Sequence, residues 1–159
     1  MRELCLHILD IAANSVTAGA DRISILIDEN LIEDTLTIEI IDNGKGMSEE
    51  MVKSITDPFT TSRTERAVGL GIPLLKYAAE SCDGWFSIKS ELGKGTHISV
   101  VFKHSHIDRM PLGNIVDTLL TLLLGTPEIN WVFTVKRNGR EFNFDDYEVK
   151  KELDGVSIT

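Results

Sequence analysis

Two segments of alternating apolar and polar residues, separated by a short polar stretch, constrain the fold of this sequence most strongly. "DRISILID" occupies residues 21–28 and "DTLTIEII" occupies residues 34–41, and both are rich in β-branched side chains. Alternation with a period of two is typical of strands that bury one face. The short connection predicts that the two strands are neighbours in one sheet. The second strand leads directly into Asp42, followed by Gly44 and Gly46, so a carboxylate and a turn with few side chains stand at its end.

Helical and strand patterns continue on both sides of this pair. Residues 2–18 carry apolar side chains three and four apart, which predicts a helix. Ser48 is a candidate N-cap for a helix over residues 48–55, and residues 56–71 have no period and predict a loop. A further helix and two further strands are predicted over residues 72–82, 84–90 and 96–103. Together the patterns predict an α+β domain over residues 1–104.

A second segment, residues 105–159, predicts a helix-hairpin-helix appendage of α+β type. Residues 111–125 read as an apolar helix that ends at Gly125. Asn138-Gly139 is a strong hairpin signal, because both central residues of a type I′ turn need positive φ. The two flanking strands and a final short helix are predicted over residues 129–137, 140–144 and 145–153. The apolar helix packs on the first domain or within its own unit, or it forms a partner or dimer surface.

Composition excludes several classes of function. The chain has 159 residues, a formal net charge of −9 and 42% hydrophobic residues, so it can form a core but has no basic footprint for nucleic acid. Cys5 and Cys82 form no disulfide framework, which favours a reducing compartment. No signal peptide is apparent, and the most apolar window, residues 115–125, is too short to span a bilayer. We therefore expect a cytoplasmic protein without membrane or nucleic-acid partners.

The first predicted helix carries a polar side. Glu3, His7, Asp10, Asn14 and Thr17 recur at spacings of four and three, so they share one face. Such a face is often only a solvated stripe. The alternative is functional, because the carboxylate and the amide oxygen of Asp10 and Asn14 lie one turn apart. Oxygen ligands of this kind suit Mg²⁺ and its bound waters.

Three further features allow both a structural and a functional interpretation. Asp42 and the glycines after it are ordinary turn chemistry, but a buried carboxylate needs donors, and the amine of a purine is one. Gly69 and Gly71 precede a helix whose free N–H groups can bind an anion, although a lone Gly-x-Gly is weak evidence. Thr96 ends "GKGT", which is either a plain turn between strands or part of the same site.

Taken together and in this order, these segments resemble the ATP-binding domain of the GHKL superfamily, which includes gyrase-type ATPases, Hsp90 and histidine kinases. "DIAANSVTAGA" (10–20) is similar to the N box and "DNGKGM" (42–47) to the first glycine box. "DPFTTSR" (57–63) is similar to the phenylalanine box and the start of the lid, and "VGLGIPLLK" (68–76) to the second glycine box. "GKGT" (93–96) completes the set. The resemblance implies a two-layer α/β sandwich, the Bergerat ATP-binding fold, with the small appendage after it.

The resemblance also implies roles for single residues. Asp42 would accept from the adenine amine, and Asn14 would bind the Mg²⁺ that bridges the phosphates. Asp10 stands where ATPase members carry a glutamate that activates water, and its shorter side chain leaves hydrolysis in question. The other positions implied to contact the nucleotide are Gly44, Gly46, Met47, Phe59, Thr60, Thr61, Ser62, Arg63, Gly69, Leu70, Gly71 and Thr96.

The function implied is that of a stand-alone, kinase-like regulator that uses bound Mg·ATP to transfer the γ-phosphoryl group to a separate protein. Only a few residues precede the N-box helix, so no phosphoacceptor hairpin is expected in the same chain. A weak ATPase that acts as a conformational switch and a non-catalytic nucleotide sensor are the alternatives. The expected ligands are ATP or ADP with Mg²⁺, the expected partner is a phosphoacceptor protein, and a homodimer is a further option.

Overall fold

The computed structural model describes residues 3–56, 71–106, 109 and 111–145. These residues form four helices and six strands. In chain order the elements are α1 (Leu4–Thr17), β1 (Arg22–Asn30), β2 (Thr35–Asp42), α2 (Glu49–Thr56), α3 (Gly71–Ser81), β3 (Trp85–Glu91), β4 (Gly95–Lys103), α4 (Ile115–Gly125), β5 (Asn130–Arg137) and β6 (Arg140–Asp145).

The strands form one mixed sheet of six strands in the order β3-β4-β2-β1-β5-β6. All neighbouring pairs are antiparallel except β1 and β5, which are parallel. The predicted pairing of the first two strands is confirmed, with Ile23 opposite Asp42. On the other side of β2, Asp42 is opposite Thr96 of β4. The expected α+β architecture is therefore confirmed, and its sheet brings Asp42 and Thr96 side by side.

The hydrophobic core lies between one face of this sheet and a layer of helices. Alternate residues of β1, Ile23, Ile25 and Ile27, are at most 2% exposed, as strand periodicity requires. Buried side chains of α1, α3 and α4 belong to the same cluster. So do Trp131 and Phe133 of β5, so the C-terminal hairpin extends the sheet and the core of the first segment. A division of the chain at residue 104 stays a prediction.

Helix α4 is shorter than the pattern over residues 111–125 predicted. It begins at Ile115, where the side chain of Asn114 accepts a hydrogen bond from the N–H of Asp117 at 3.0 Å. The carbonyl groups of Pro111 and Leu112 accept, at 2.9 Å each, from the first two N–H groups of α1. These carbonyls are committed to α1, so the residues before Asn114 connect two helices instead of starting one.

The turn chemistry of the C-terminal hairpin agrees with its prediction. Asn138 and Gly139 have φ values of 50° and 85°, the positive angles that a type I′ turn needs. The helix predicted over residues 145–153 lies outside the described residues after Asp145, which ends β6. Among the described helices, none combines the length and the apolar character needed to cross a bilayer.

Candidate functional site

The carboxylate of Asp42 is fixed at the end of β2 by two hydrogen bonds. Its Oδ2 accepts from the hydroxyl of Ser15 at 2.7 Å, and its Oδ1 accepts from the backbone N–H of Gly44 at 2.9 Å. Ser15 is 4% exposed and comes from α1, so the helix that precedes the sheet orients the carboxylate. An ionised carboxylate has about four acceptor positions, so Asp42 retains acceptor capacity for a ligand.

Asn14 precedes Ser15 and carries an unsatisfied donor. Its Nδ2 is buried, and it has no hydrogen-bond partner within the described part of the chain. A buried donor without an acceptor costs about 1–3 kcal/mol, so such an atom indicates a missing acceptor. A phosphate oxygen is an acceptor for Nδ2, and the amide oxygen of Asn14 suits Mg²⁺. The side chain therefore fits a metal-bound phosphate, with Asp10 one turn earlier and partly exposed.

The polar side of α1 is only partly exposed to solvent. His7 is only 2% exposed, although it shares a face with Asp10 and Asn14. Cys5 on the same helix is also buried, and this burial raises the pKa of its thiol. A thiol held neutral in the core is a packing group and not a nucleophile. The interpretation of this face as a solvated stripe was therefore wrong for His7. Asp10 and Asn14, the next two residues of the face, are partly exposed and belong to the candidate site.

The glycine turn after Asp42 is packed between two other parts of the chain. The N–H of Lys45 donates to the carbonyl of Ala18 at 2.9 Å, and its carbonyl accepts from the N–H of Gly93 at 2.7 Å. Gly46 has a φ of 70°, and a Cβ built on it would lie 2.0 Å from the carbonyl oxygen of Glu91. On this side of Gly46, the missing side chain makes room for the main chain of β3. The glycine at position 46 is therefore required by this close backbone contact.

A second set of polar contacts connects the glycine turn to β3 and β4. The hydroxyl oxygen of Ser90 lies 2.8 Å from the N–H of Met47, 3.1 Å from the carbonyl of Gly95 and 2.8 Å from the hydroxyl of Thr96. Since Thr96 is opposite Asp42, the contacts of Ser90 reach the same corner of the sheet. The two serines, Ser15 and Ser90, thus hold the carboxylate, the turn and Thr96 in one arrangement.

The structure brings together the half of the expected site that would contact the base and the metal. Asp42, Gly44, Met47 and Thr96 are connected through hydrogen bonds and the strand pairing. Gly46 packs against the backbone of Glu91, and Asn14 precedes Ser15 on α1. Gly71 is the first residue of α3. The expected lid and second glycine box lie outside the described residues, so these positions stay predictions: Phe59, Thr60, Thr61, Ser62, Arg63, Gly69 and Leu70.

Sequence reasoning missed Ser15 and Ser90. Ser15 follows Asn14 directly, so its place in the N-box segment was a usable signal. Ser90 shares a strand face with Phe86 and Ile88, which pack against the core, and a polar residue at the end of such a face often meets a specific partner. The partners themselves could not be read from the sequence, because they lie up to 43 residues away.

Comparison with known proteins identifies the class to which this fold and site belong. The family described as "Histidine kinase-, DNA gyrase B-, and HSP90-like ATPase" matches residues 1–106, two thirds of the chain. The chain belongs to this family. The resemblance of the four boxes and the terminal "GKGT" is thereby confirmed at the level of the family.

Similar proteins include bacterial sensor proteins and kinases. The chain is 31% identical to Sporulation kinase D of Bacillus subtilis (strain 168) over 93 residues, which is 58% of the chain and 18% of that kinase. It is 35% identical to Sensor protein SrrB of Staphylococcus aureus (strain NCTC 8325 / PS 47) over 101 residues, 60% of the chain and 17% of that protein. It is 39% identical to a "Putative sensor protein" of Shewanella frigidimarina (strain NCIMB 400) over 79 residues, 49% of the chain and 12% of that protein. The similarity thus covers less than a fifth of each of these relatives.

Proposed function

We propose that this chain binds Mg·ATP at the corner formed by α1, β2 and β4, and transfers the γ-phosphoryl group to a separate protein. The observation that supports this most strongly is the pairing of a fixed carboxylate with an unsatisfied amide. Asp42 is held by Ser15 and Gly44, and the buried Nδ2 of the neighbouring Asn14 has no acceptor among the described residues. A purine amine and a phosphate oxygen together would satisfy both groups.

In this proposal the protein acts mainly by positioning and by neutralising charge. Asp42 holds the adenine, and Asn14 holds the metal and the phosphates at the opposite end of the ligand. Mg²⁺, when bound, supplies positive charge that offsets the charge of the transferring phosphoryl group. The backbone N–H groups of Gly69, Leu70 and Gly71 would add donors for the phosphates, as the family resemblance implies. Such a site needs little covalent chemistry from its own side chains.

Transfer to a protein is favoured over hydrolysis by two observations. One similar protein is named as a kinase and two as sensor proteins. The side chain of Asp10 is one methylene group shorter than that of the glutamate expected of a general base, and a base must come within hydrogen-bond reach of its water. We propose accordingly that Asp10 contacts metal-bound water. The acceptor would be a separate protein partner in the cytoplasm, and a homodimer of the chain is part of the same proposal.

A weak ATPase that reports its nucleotide state is the second candidate. Asp10 lies one turn from Asn14 on α1 and is partly exposed, so a water can lie between its carboxylate and a phosphate. A sensor that binds ATP without turnover is the third candidate. The three differ in the fate of the γ-phosphate, which can be followed directly.

The test uses the full chain, Mg²⁺, ATP labelled at the γ-phosphate and lysate of the source cells. The proposal predicts label on a protein band other than the chain itself, and the same transfer should persist in Asp10→Asn. Release of inorganic phosphate that is lost in Asp10→Asn, with ATP still bound, would establish the ATPase instead. Label that stays on ATP in every sample would contradict both the phosphotransferase and the ATPase proposals and would support the non-catalytic sensor.

A further inference from the structure

The hydroxyl of Ser90 lies at the meeting point of three polar groups. It comes within 2.8 Å of the N–H of Met47, within 3.1 Å of the carbonyl oxygen of Gly95 and within 2.8 Å of the hydroxyl oxygen of Thr96. The Met47 and Thr96 distances lie within the usual hydrogen-bond ranges, and the Gly95 distance is slightly longer than a usual O–H···O bond. The first group belongs to the glycine turn, and the other two belong to the first two residues of β4. One side chain of β3 therefore contacts both the turn and the strand that flank Asp42.

The three contacts determine which atom donates in each. A backbone N–H only donates, so Met47 donates to Ser90. A carbonyl oxygen only accepts, so the single proton of Ser90 goes to Gly95. The remaining contact can then be a hydrogen bond in one way alone, with Thr96 donating into the second lone pair of Ser90. This arrangement makes three hydrogen bonds with three protons, whereas donation from Ser90 to Thr96 would leave the Gly95 contact without one.

The direction of the last bond changes what Thr96 presents to a ligand. Its proton is directed to Ser90, so the Thr96 oxygen offers lone pairs and no donor to the pocket. Asp42 stands directly opposite Thr96 in the register, where neighbouring side chains share a face with Cβ atoms roughly 5 Å apart. The carboxylate also only accepts. Two acceptors side by side fit a group with two N–H donors and repel a group that is itself an acceptor.

We propose that Ser90 is a positioning residue that makes this site select 6-aminopurines over 6-oxopurines. It does so through Thr96, by keeping that hydroxyl in its accepting orientation beside Asp42. An adenine amine has two hydrogens for the two acceptors, while the 6-oxo group of hypoxanthine brings a third acceptor against them. This inference rests on the proposed function, since it requires an adenine nucleotide at this corner.

The test is isothermal titration calorimetry of the full chain with ADP and with inosine diphosphate, which differ in the group at position 6 and in the proton that N1 of hypoxanthine carries. In Ser90→Ala the Thr96 proton is released and can turn toward a 6-oxo group. We expect the preference for ADP over inosine diphosphate to fall about ten-fold, the effect of roughly one neutral hydrogen bond. Ser90→Thr keeps a hydroxyl and should keep the preference of the unchanged protein. Ser87→Ala is the matched control, because Ser87 lies on the opposite face of the same strand.

The ratio of the two affinities separates this role from a structural one. A looser glycine turn would weaken both nucleotides by the same factor, so an unchanged ratio in Ser90→Ala would overturn the inference. Loss of the preference in Ser87→Ala as well would also overturn it. If the unchanged protein binds neither nucleotide, the proposed function itself fails and the inference fails with it. Thermal melts of each variant, together with the Ser90→Thr result, show whether a lost preference comes from lost folding.

Discussion

At the scale of single residues, the carboxylate of Asp42 depends on two specific hydrogen-bond donors. A carboxylate at the end of a buried strand loses hydration, and its donors must replace that loss. Ser15 and Gly44 supply one hydrogen bond to each oxygen, at 2.7 and 2.9 Å. Both bonds come from groups that the fold fixes, a buried helical side chain and a backbone N–H. The carboxylate is therefore oriented before any ligand arrives, which reduces the entropy lost on binding.

Replacing Asp42 by Asn should remove nucleotide binding while leaving the fold. An amide has one acceptor oxygen where the carboxylate has two, and the N–H of Gly44 engages that oxygen. The amide then turns its NH₂ group toward the adenine amine, so a donor faces a donor. We expect ADP affinity to fall about 100-fold or more, in line with the loss of a hydrogen bond to a charged group.

Calorimetry measures that loss, and Asp28→Asn provides the control. The Asp28→Asn substitution removes the same charge as Asp42→Asn. Asp28 lies on β1 opposite Thr37, five residues along the strand from Ile23, which is opposite Asp42. The ADP affinity of the Asp28→Asn variant should match that of the unchanged protein. Undiminished affinity in Asp42→Asn would contradict the adenine contact.

At the scale of elements, the glycine turn is a junction between three parts of the chain. It joins the end of β2 to the end of α1 through Lys45 and Ala18, and to the turn between β3 and β4 through Gly93. Gly46 permits the closest of these approaches, since its own backbone lies against the carbonyl of Glu91. A site formed at such a junction depends on backbone packing as much as on the side chains that contact the ligand.

Gly46→Ala should therefore destabilise the protein more than Gly93→Ala. Both glycines have positive φ, 70° and 81°, so both substitutions carry backbone strain of about 1–2 kcal/mol. Only at Gly46 does the new Cβ clash with backbone, 2.0 Å from the oxygen of Glu91, whereas nothing lies within 4 Å of a Cβ at Gly93. We expect a loss of about 3 kcal/mol or more in Gly46→Ala, since overpacking adds to strain. Urea denaturation of the two variants gives both values, and equal losses would disprove the contact.

At the scale of the whole molecule, the C-terminal hairpin is part of the sheet that holds the site. β5 pairs in parallel with β1, which pairs in turn with β2. Trp131 of β5 is fully buried and packs against Phe133, with the two rings tilted by 31° and their centroids 5.9 Å apart. The indole Nε1 donates to the hydroxyl oxygen of Thr126 at 3.1 Å. A substitution that destabilises β5 should therefore also destabilise β1 and β2, the strands that lead to the site.

Trp131→Ala tests whether the two segments of the chain unfold together. Removing a buried indole should lower the free energy of unfolding by about 3–5 kcal/mol. If the sheet is one cooperative unit, calorimetric unfolding shows a single transition that moves to lower temperature. Phe142→Ala is a suitable control, because Phe142 on β6 is 61% exposed and should change stability little. A lower transition that appears beside an unchanged one would support a boundary near residue 104.

Much of the fold could be predicted because its elements are encoded locally. The alternation over residues 21–28 and 34–41 gave both strands, and Asn138-Gly139 gave the second hairpin. The start of α4 was misplaced, since its neighbours Pro111 and Leu112 are engaged by α1, more than a hundred residues earlier. Periodicity reports which side of an element is apolar, but it carries no information about such distant partners.

The sequence by itself determined the elements, the strand that ends at Asp42, and the ATPase family, because each depends on neighbours along the chain or on a fixed order of short segments. Only the tertiary structure decided that β5 lies beside β1, that Gly46 is needed for the backbone of β3, and that Ser15 contacts Asp42 and Ser90 contacts Thr96. The physical reason is the range of the contacts. A hydrogen bond between residues 27 or 43 positions apart exists only after the sheet has formed, and no local pattern specifies it.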